Sequence, residues 1–222
     1  MDRDDMLSLR GVPQTALPED VDLPAEAPAA PWRTSMRAVV WQGASSRAAR
    51  RAAGPVAAAG RVAAVLGGFI SYDDTPVGPY DEIVGIVGLW CRGSVAATVP
   101  FIAVDSPASV VGGRVNWGLP KTLARFDGDP STEMTATGAD WSVRVTVRAT
   151  GPALPFRSRG RLLQPWPGGG VRHARVSMTG KARLAVVRVQ VQAEPTLAGW
   201  LRGGLHLGAV LENVTGHFEP AT

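Results

Sequence analysis

The sequence predicts a mainly β (α+β) protein whose strands form a barrel-like sheet with a few short helices. Residues 141–148 and 184–192 alternate between apolar and polar side chains, which is typical of half-exposed strands. Residues 61–72 are apolar and contain glycine, a composition that suits a curved strand in a closed sheet. With 222 residues and 45% hydrophobic residues, the chain can form one domain with a sizeable core.

The first part of the chain differs in composition from the rest. Residues 1–31 are acidic and rich in proline, and such a segment rarely builds a core of its own. We therefore expect an extended N-terminal arm at 1–31, lying on the domain or on a neighbouring subunit, and a barrel domain at 32–222.

Strand and helix signals follow one another along the barrel domain. Strands are predicted at 32–41, 61–72, 82–91, 95–104, 141–148, 171–177, 182–191 and 205–214, and a helix at 44–53 with Ser45 or Ser46 as its cap. Ser106 is expected to cap a short helix that ends at the glycines before Arg114. Residues 151–170 are dense in Pro, Gly and Arg and are predicted to form a long loop or lid.

Composition also bears on partners and location. The formal net charge is +4, but the one dense basic cluster, Arg47, Arg50 and Arg51, lacks a known nucleic-acid motif, so we expect no nucleic-acid partner. No run of about 18 apolar residues is present, and we expect no membrane association. A single cysteine, Cys91, excludes an intrachain disulfide, and we expect a cytoplasmic protein.

Metal chemistry has little support. The three histidines are far apart in the sequence and show no metal-ligand spacing: His173, His206 and His217. We therefore expect no metal site.

The strongest candidate for chemistry is residues 112–121, Gly-Gly-Arg-Val-Asn-Trp-Gly-Leu-Pro-Lys. Glycine allows close backbone approach, and proline fixes the chain just before Lys121. The chain has two lysines, Lys121 and Lys181, and arginine fills every other basic position. Because burial can neutralise lysine but not arginine, Lys121 is a candidate reactive amine. The alternative is a surface lysine that follows a turn.

These residues resemble a known family. The pattern Gly-Arg-x-x-Trp-Gly-x-Pro-Lys at 113–121 resembles the segment that carries the Schiff-base lysine in acetoacetate decarboxylase and its relatives. Upstream, Gly-Gly-Phe-Ile-Ser-Tyr at 67–72 and Pro-Val-Gly-Pro-Tyr-Asp-Glu at 76–82 resemble the same family's run into its pocket glutamate. The resemblance covers roughly Pro31 to Phe126, and it implies a closed, cone-like β-barrel with the lysine inside.

The resemblance also implies catalytic roles. Lys121 would be the imine-forming amine, and Glu82 would orient the substrate or move a proton near the imine. An amine attacks a carbonyl only when neutral, and free lysine has a pKa of about 10.4, so a depression of about three units is needed at pH 7. Burial can supply it, and we expect Trp117, Leu119 and Leu123 to form the apolar wall.

Substrate-binding candidates follow from the same resemblance. Tyr80 and Trp117 are expected to line the pocket, and Arg33 or Arg37 would bind a substrate carboxylate. Arg114 is a further candidate. It or Arg125 would also have to replace a cation that the family has and this chain lacks.

Three departures from the family pattern leave the reaction open. Thr122 stands where acetoacetate decarboxylases carry a second lysine, and Val115 stands where an acidic residue is common. The family's second pocket carboxylate should fall upstream of Glu82, but residues 60–72 contain no Asp or Glu. The resemblance implies a small or medium keto acid or another carbonyl compound as substrate, with decarboxylation, aldol-type reaction or dehydration possible and no cofactor required. The alternatives are an imine-free cyclase and a small-molecule-binding barrel, either one using the pocket for a bulky apolar metabolite. The resemblance also implies a homo-oligomer.

Overall fold

The computed structural model describes residues 3–18, 20–91 and 93–222. Within them, eleven strands form one sheet: β1 Trp32–Gly43, β2 Arg61–Asp74, β3 Tyr80–Cys91, β4 Ser94–Val104, β5 Lys121–Leu123, β6 Arg125–Asp129, β7 Glu133–Thr137, β8 Ser142–Ala149, β9 Leu154–Pro165, β10 Val171–Gln192 and β11 Gly204–Phe218. The described α-helices are α1 Arg3–Ser8, α2 Arg47–Ala52, α3 Pro107–Trp117 and α4 Pro195–Ala198, and two 3₁₀ turns cover Pro13–Thr15 and Gly54–Ala59.

Seven of these strands close a ring. Their order is β11, β1, β2, β3, β4, β9 and β10, and β10 pairs with β11 to complete the circuit. The neighbours in the ring are antiparallel, except for one parallel pair between β4 and β9. Strands β8, β7 and β6 extend the sheet from β10, and β5 lies parallel to β4. The prediction of a mainly β, barrel-type fold with a few short helices is confirmed.

The first predicted elements agree with the structure at β1 to β4 and at α2. Ser46 caps α2 by accepting a hydrogen bond from the amide of Ala49, and Ser106 caps α3 through Ser109. Helix α3 does not end at Gly112 and Gly113, however; it continues to Trp117 and stops at Gly118, which has a φ of 65°. The two internal glycines therefore serve close packing inside a helix and do not form a turn.

Two predictions in the second half are wrong. Residues 151–170 are not a long loop, because β9 occupies 154–165 and pairs with β10 over its whole length. The strands predicted at 171–177 and 182–191 are one strand, β10, whose register against β11 shifts between Thr179 and Lys181. Gly180 lies at this irregularity, which bends the strand without ending it. Composition suggested a break at both places, and backbone pairing with neighbouring strands overrides it.

Apolar clusters fill the ring and its ends. The largest contains Trp41, Phe69, Phe101 and Trp200. A second cluster holds Tyr72 and Tyr80 together with Met6 and Leu23 from the N-terminal segment. The described residues of 1–31 thus pack against the barrel, whereas the division of the chain into arm and domain stays a prediction. No helix in the described part of the chain is long and apolar enough to cross a membrane.

Candidate active site around Lys121

The turn between α3 and β5 fixes the position of Lys121. Gly118 ends the helix in the left-handed conformation that glycine adopts readily, and the amide of Lys121 donates to the carbonyl of Leu119 at 2.8 Å. β5 then starts at Lys121, which lies opposite Ile102 of β4. A Cβ atom at Gly113 would lie 2.5 Å from Cδ of Lys121. The lysine side chain therefore needs a glycine above it, and α3 supplies one.

Three polar groups surround the Lys121 ammonium. Nζ donates to Oε2 of Glu82 at 2.8 Å, to Oγ of Ser109 at 2.8 Å and to the hydroxyl of Tyr80 at 3.4 Å. It also lies 4.9 Å from the centre of the Tyr80 ring. An ammonium group has three donor protons, and each of them has a partner here. The structure thus brings together Lys121, Glu82 and Tyr80, three of the residues singled out in the sequence.

Two strands position the opposite side of this cluster. In the β2–β3 pair, Tyr72 lies opposite Tyr80, and Ile70 lies opposite Glu82. The two tyrosine rings have centroids 4.5 Å apart, and the Tyr72 hydroxyl donates to Oε1 of Glu82 at 3.5 Å. Each Glu82 oxygen therefore accepts a hydrogen bond, one from Lys121 and one from Tyr72.

Burial controls the electrostatics of the cluster. Lys121 is 3% exposed and Glu82 is 4% exposed. Burial lowers the pKa of Lys121, but the Glu82 carboxylate raises it, and the net pKa lies above its ordinary value. Burial also raises the pKa of Tyr80, and it raises that of Tyr72 well above the ordinary value. The expected depression of the lysine pKa is absent from this state, because a carboxylate lies next to the amine.

Trp117 and the arginines of β1 lie away from this cluster. Trp117 packs edge-on against Trp32 at 5.1 Å between ring centroids, and its Nε1 donates to the carbonyl of Glu219. Arg33 is an exposed residue of β1, on the strand face opposite to the buried Trp32. Arg37 forms exposed ion pairs with Asp73 and Asp129. None of these contacts involves Lys121, so the geometry gives no support to a substrate-binding role for Trp117, Arg33 or Arg37.

Arg114 is fully buried, and its contacts are backbone carbonyls. Its Nε donates to the carbonyl of Lys121 at 2.7 Å. Its terminal nitrogens donate to the carbonyls of Met6 at 2.8 Å, Leu9 at 3.1 Å and Thr15 at 3.2 Å. Burial, with a smaller contribution from Arg10, lowers the pKa of Arg114 to about 10. These contacts describe a residue that holds the chain together and do not support the predicted contact with a substrate.

Ser109 and Tyr72 are site residues that the sequence did not identify. Tyr72 ends the Gly-Gly-Phe-Ile-Ser-Tyr segment that carried the family resemblance, so a signal for it was present. Ser109 gave no such signal. As a hydrolase nucleophile it would need a characteristic flanking sequence, and that sequence is absent. Its role as an acceptor for Lys121 follows from its place in the first turn of α3, directly above the lysine.

A cavity of about 440 Å³ lies outside this cluster, between α2, the segment 9–13, residues 98–100 of β4 and the end of β9, and its lining does not include Lys121 or Glu82. Within the described ranges, no group of three or more His, Cys, Asp or Glu side chains is arranged to hold a metal ion. The site therefore contains an amine, a carboxylate and three hydroxyl groups, all of them buried.

Solved structures with the same fold include enzymes. The enduracididine biosynthesis enzyme MppR complexed with pyruvate superimposes with a TM-score of 0.68 at 14% identity, over 89% of this chain and 91% of that one. The acetoacetate decarboxylase from Legionella pneumophila gives a TM-score of 0.57 at 15% identity, over 96% and 94% of the two chains. An acetoacetate decarboxylase-like enzyme from Sphingomonas wittichii gives 0.59 at 15% identity, over 93% and 98%. At these identities the likeness concerns the fold alone.

Curated proteins match over a shorter stretch. The protein NEOXANTHIN-DEFICIENT 1 from Arabidopsis thaliana is 42% identical over 64 residues, which is 28% of this chain and 23% of that protein. Its namesake from Solanum lycopersicum is 44% identical over 64 residues. The matched stretch is thus less than a quarter of the length of either plant protein.

The comparison with protein families covers most of the barrel. The sequence profile of the family described as acetoacetate decarboxylase (ADC) matches residues 56–197, which is more than half of the chain and includes both Glu82 and Lys121. This chain therefore belongs to the acetoacetate decarboxylase family.

Proposed function

We propose that this protein is a lyase-type enzyme in which Lys121 forms a Schiff base with a keto acid or a related carbonyl compound. The observation that carries the proposal is the buried pair of Lys121 and Glu82, with 2.8 Å between Nζ and Oε2. A buried ion pair is costly to desolvate and adds little to stability by itself, so a protein gains little by keeping one for structure alone. Perturbed, paired ionisable groups are typical of functional sites.

Glu82 is the base that prepares the amine. The lysine rests as an ammonium ion, since its net pKa is raised, and it must lose a proton before it can attack. Transfer of that proton along the 2.8 Å bond to Oε2 gives a neutral amine and a neutral carboxylic acid. A buried site favours this neutral pair, relative to the charged pair, more than bulk water does. Nζ then bonds to the carbonyl carbon, and the carbonyl oxygen leaves as water with one proton from Nζ and one returned by Glu82. The protonated imine that remains draws electrons from the neighbouring bond.

The tyrosines suit a substrate that carries negative charge. Because the pKa values of Tyr72 and Tyr80 are raised, both hydroxyls keep their protons at neutral pH and can donate to a carboxylate or an oxyanion. The MppR structures contain pyruvate and a condensation product of pyruvate with imidazole 4-carboxaldehyde. This supports a small keto acid as substrate and keeps aldol-type reaction and dehydration beside decarboxylation as outcomes for the imine.

A specific observation favours a second candidate. The raised pKa of Lys121 suits an ammonium that remains charged and donates hydrogen bonds, with no imine at all. The site is walled by apolar residues, and the plant relatives carry a name that refers to neoxanthin. The second candidate is therefore an imine-free cyclase, or a binding barrel, for a bulky apolar metabolite.

Kinetics with lysine variants separates the two candidates. Wild type, Lys121→Arg and Lys181→Arg are incubated with a panel of keto acids, and consumption is followed by NMR. The proposal expects turnover in wild type and in the exposed control Lys181→Arg, and none in Lys121→Arg. Unchanged turnover in Lys121→Arg would contradict an imine mechanism and favour the second candidate, because arginine keeps a charged donor but cannot form an imine.

We also propose that the protein is a homo-oligomer. Four large apolar side chains of β10 and β11 are exposed: Leu184, Val186, Leu205 and Leu207. Val186 lies opposite Leu207 and Arg188 opposite Leu205, so these side chains share one face of the sheet. Light scattering tests the proposal, and a monomer at micromolar concentration would contradict it. The cytoplasmic location stays a prediction.

A further inference from the structure

The N-terminal arm, defined here as the described residues between 3 and 31, covers the Lys121 site. Met6 of α1 and Leu23 are buried in the same apolar cluster as Tyr72 and Tyr80. Leu17, Val21 and Ala27 pack against that cluster from the same segment. The arm therefore supplies part of the wall that keeps water from the ammonium–carboxylate pair.

Two side chains flanking Lys121 hold the arm in place. Arg114 donates to the carbonyls of Met6, Leu9 and Thr15, and its Nε holds the Lys121 carbonyl itself. Thr122, the residue after Lys121, donates from Oγ1 to the carbonyl of Ala16 at 3.0 Å. The Lys121 amine and both side chains that hold the arm thus belong to one nine-residue stretch, 114–122.

Further contacts seat the arm on the barrel surface. The amide of Val12 donates to the carbonyl of Pro100 at 2.9 Å. Gly11 lies so close to this carbonyl that a Cβ would come within 2.0 Å of its oxygen. Gln14 hydrogen-bonds to Thr196 at 3.0 Å. The arm therefore has a defined seat.

The hydrogen bonds from Arg114 and Thr122 to the arm can break and re-form. All are hydrogen bonds to neutral carbonyls, which water can replace at a small net cost. The buried guanidinium regains hydration when the arm lifts, which offsets part of that loss. Strand β3, by contrast, is held by long backbone ladders on both sides, to β2 and to β4.

We propose that the arm is a strap that lifts to admit substrate to Lys121, with Arg114 and Thr122 as the positioning residues that latch it. The inference rests on the proposed function, in which a carbonyl compound must reach Nζ. Lys121 is 3% exposed, and every proton of its ammonium has a partner, so a route to it has to open. Lifting the arm uncovers the site without separating any strand of the ring.

The test is the rate at which Lys121 is labelled when one latch bond is removed. Thr122→Val keeps the shape of the side chain and deletes the bond to Ala16. Thr75→Val is a strict control, because Thr75 donates to the carbonyl of Gly78 at 2.6 Å and accepts from the amide of Val77 at 3.1 Å, in a turn outside the arm. The control therefore loses more hydrogen bonds than Thr122→Val does. Reductive methylation with formaldehyde and a borane labels accessible amines, and peptide mass spectrometry reads Lys121 against the exposed Lys181 in the same sample.

The strap predicts a specific pattern of rates. Labelling of Lys121 relative to Lys181 rises about two- to tenfold in Thr122→Val, the range expected from one lost hydrogen bond, and stays unchanged in Thr75→Val. Amide exchange at 6–16 rises by a similar factor, while exchange in β3 does not change. Equal Lys121 labelling in wild type and Thr122→Val, or a rise of the same size in Thr75→Val, overturns the strap.

Failure of the strap is distinguishable from failure of the proposed function. Formaldehyde methylates any accessible amine, so the labelling does not depend on native keto-acid chemistry. If Thr122→Val exposes Lys121 but no keto acid forms an adduct with either protein, the strap stands and the imine mechanism fails. If keto acids react with Lys121, and Lys121 is methylated at the same rate in wild type and Thr122→Val, the mechanism stands and the strap fails.

Discussion

Two buried cations, seven positions apart, have opposite surroundings. Lys121 pairs with the carboxylate of Glu82 and with two hydroxyls, whereas Arg114 donates to the backbone carbonyls of its own motif and of the arm. The lysine can lose its proton and has a base 2.8 Å away to take it. The arginine stays charged and has fixed, planar donors. We infer a division of labour, with a titratable cation for the proposed chemistry and a permanent one for architecture.

The largest expected effect is on stability when the lysine alone is removed. Lys121→Met leaves the Glu82 carboxylate buried without its cation, so we expect the free energy of unfolding to fall by about 3–5 kcal/mol at pH 7. Adding Glu82→Gln removes the stranded charge and should restore most of the loss. Urea denaturation of the single and double variants measures both effects. Equal stability of Lys121→Met and the double variant would show that the pair is not energetically coupled.

A smaller loss is expected when the other cation is removed. Arg114→Met leaves the carbonyls of Met6, Leu9 and Thr15 without their donor, but these can reach water once the arm detaches. We therefore expect a fall of about 2–3 kcal/mol in the free energy of unfolding, from the same urea experiment. This loss should be unaffected by Glu82→Gln, since Arg114 and Glu82 share no contact in the described structure. Rescue by Glu82→Gln would contradict the division of labour.

The sequence predicted the surroundings of Lys121 better than those of Arg114. Lys121 stood out because lysine is rare in this chain, and Glu82 stood out because it ends a motif on a strand. Both signals are local, and antiparallel pairing of β2 and β3 then aligns Tyr72 with Tyr80. The contacts of Arg114 were not predicted, because its partners are carbonyls about 100 residues away in the sequence. Every residue has a carbonyl, so such a partner leaves no signature in the sequence.

In the fold, too, the elements that depend on partners distant in the sequence were not predicted. Strands with a clear apolar pattern, β1 to β4 among them, were predicted close to their observed ends. β9 was not, because its Pro, Gly and Arg content resembles a loop and its stability as a strand depends on pairing with β10. The single strand β10 was split in the prediction at Gly180, where the structure has a bulge. Pairing partners distant in the sequence decide these cases, and composition does not encode them.

The third effect concerns the titration of Lys121. Glu82 opposes the effect of burial, so Glu82→Gln should leave burial unopposed and lower the lysine pKa. The pH at which Lys121 reaches half its maximal methylation rate should move to lower pH, while that of Lys181 stays fixed. A midpoint that does not move would mean that the carboxylate does not hold the proton on Nζ.

The smallest effect is on the alkaline stability of the wild type. The pKa of Lys121 is raised on folding, so its contribution is complete below the ordinary lysine pKa of about 10.4 and is lost as pH rises through the folded value. The raised pKa values of Tyr72 and Tyr80 act in the same direction. Thermal unfolding should show stability falling above about pH 10, and less steeply in Glu82→Gln. A flat or rising profile would contradict the assigned shifts.

Borohydride trapping tests the central claim, imine formation at Lys121, most directly. Folded protein is treated with pyruvate, acetoacetate and larger keto acids in the presence of borohydride, and the adduct is located by intact-mass and peptide mass spectrometry. We expect one reduced adduct on Lys121, none on Lys181, and none in Lys121→Arg. No adduct on Lys121 across the panel, under conditions where formaldehyde labels it, would contradict the Schiff-base mechanism and favour the imine-free cyclase or binding barrel.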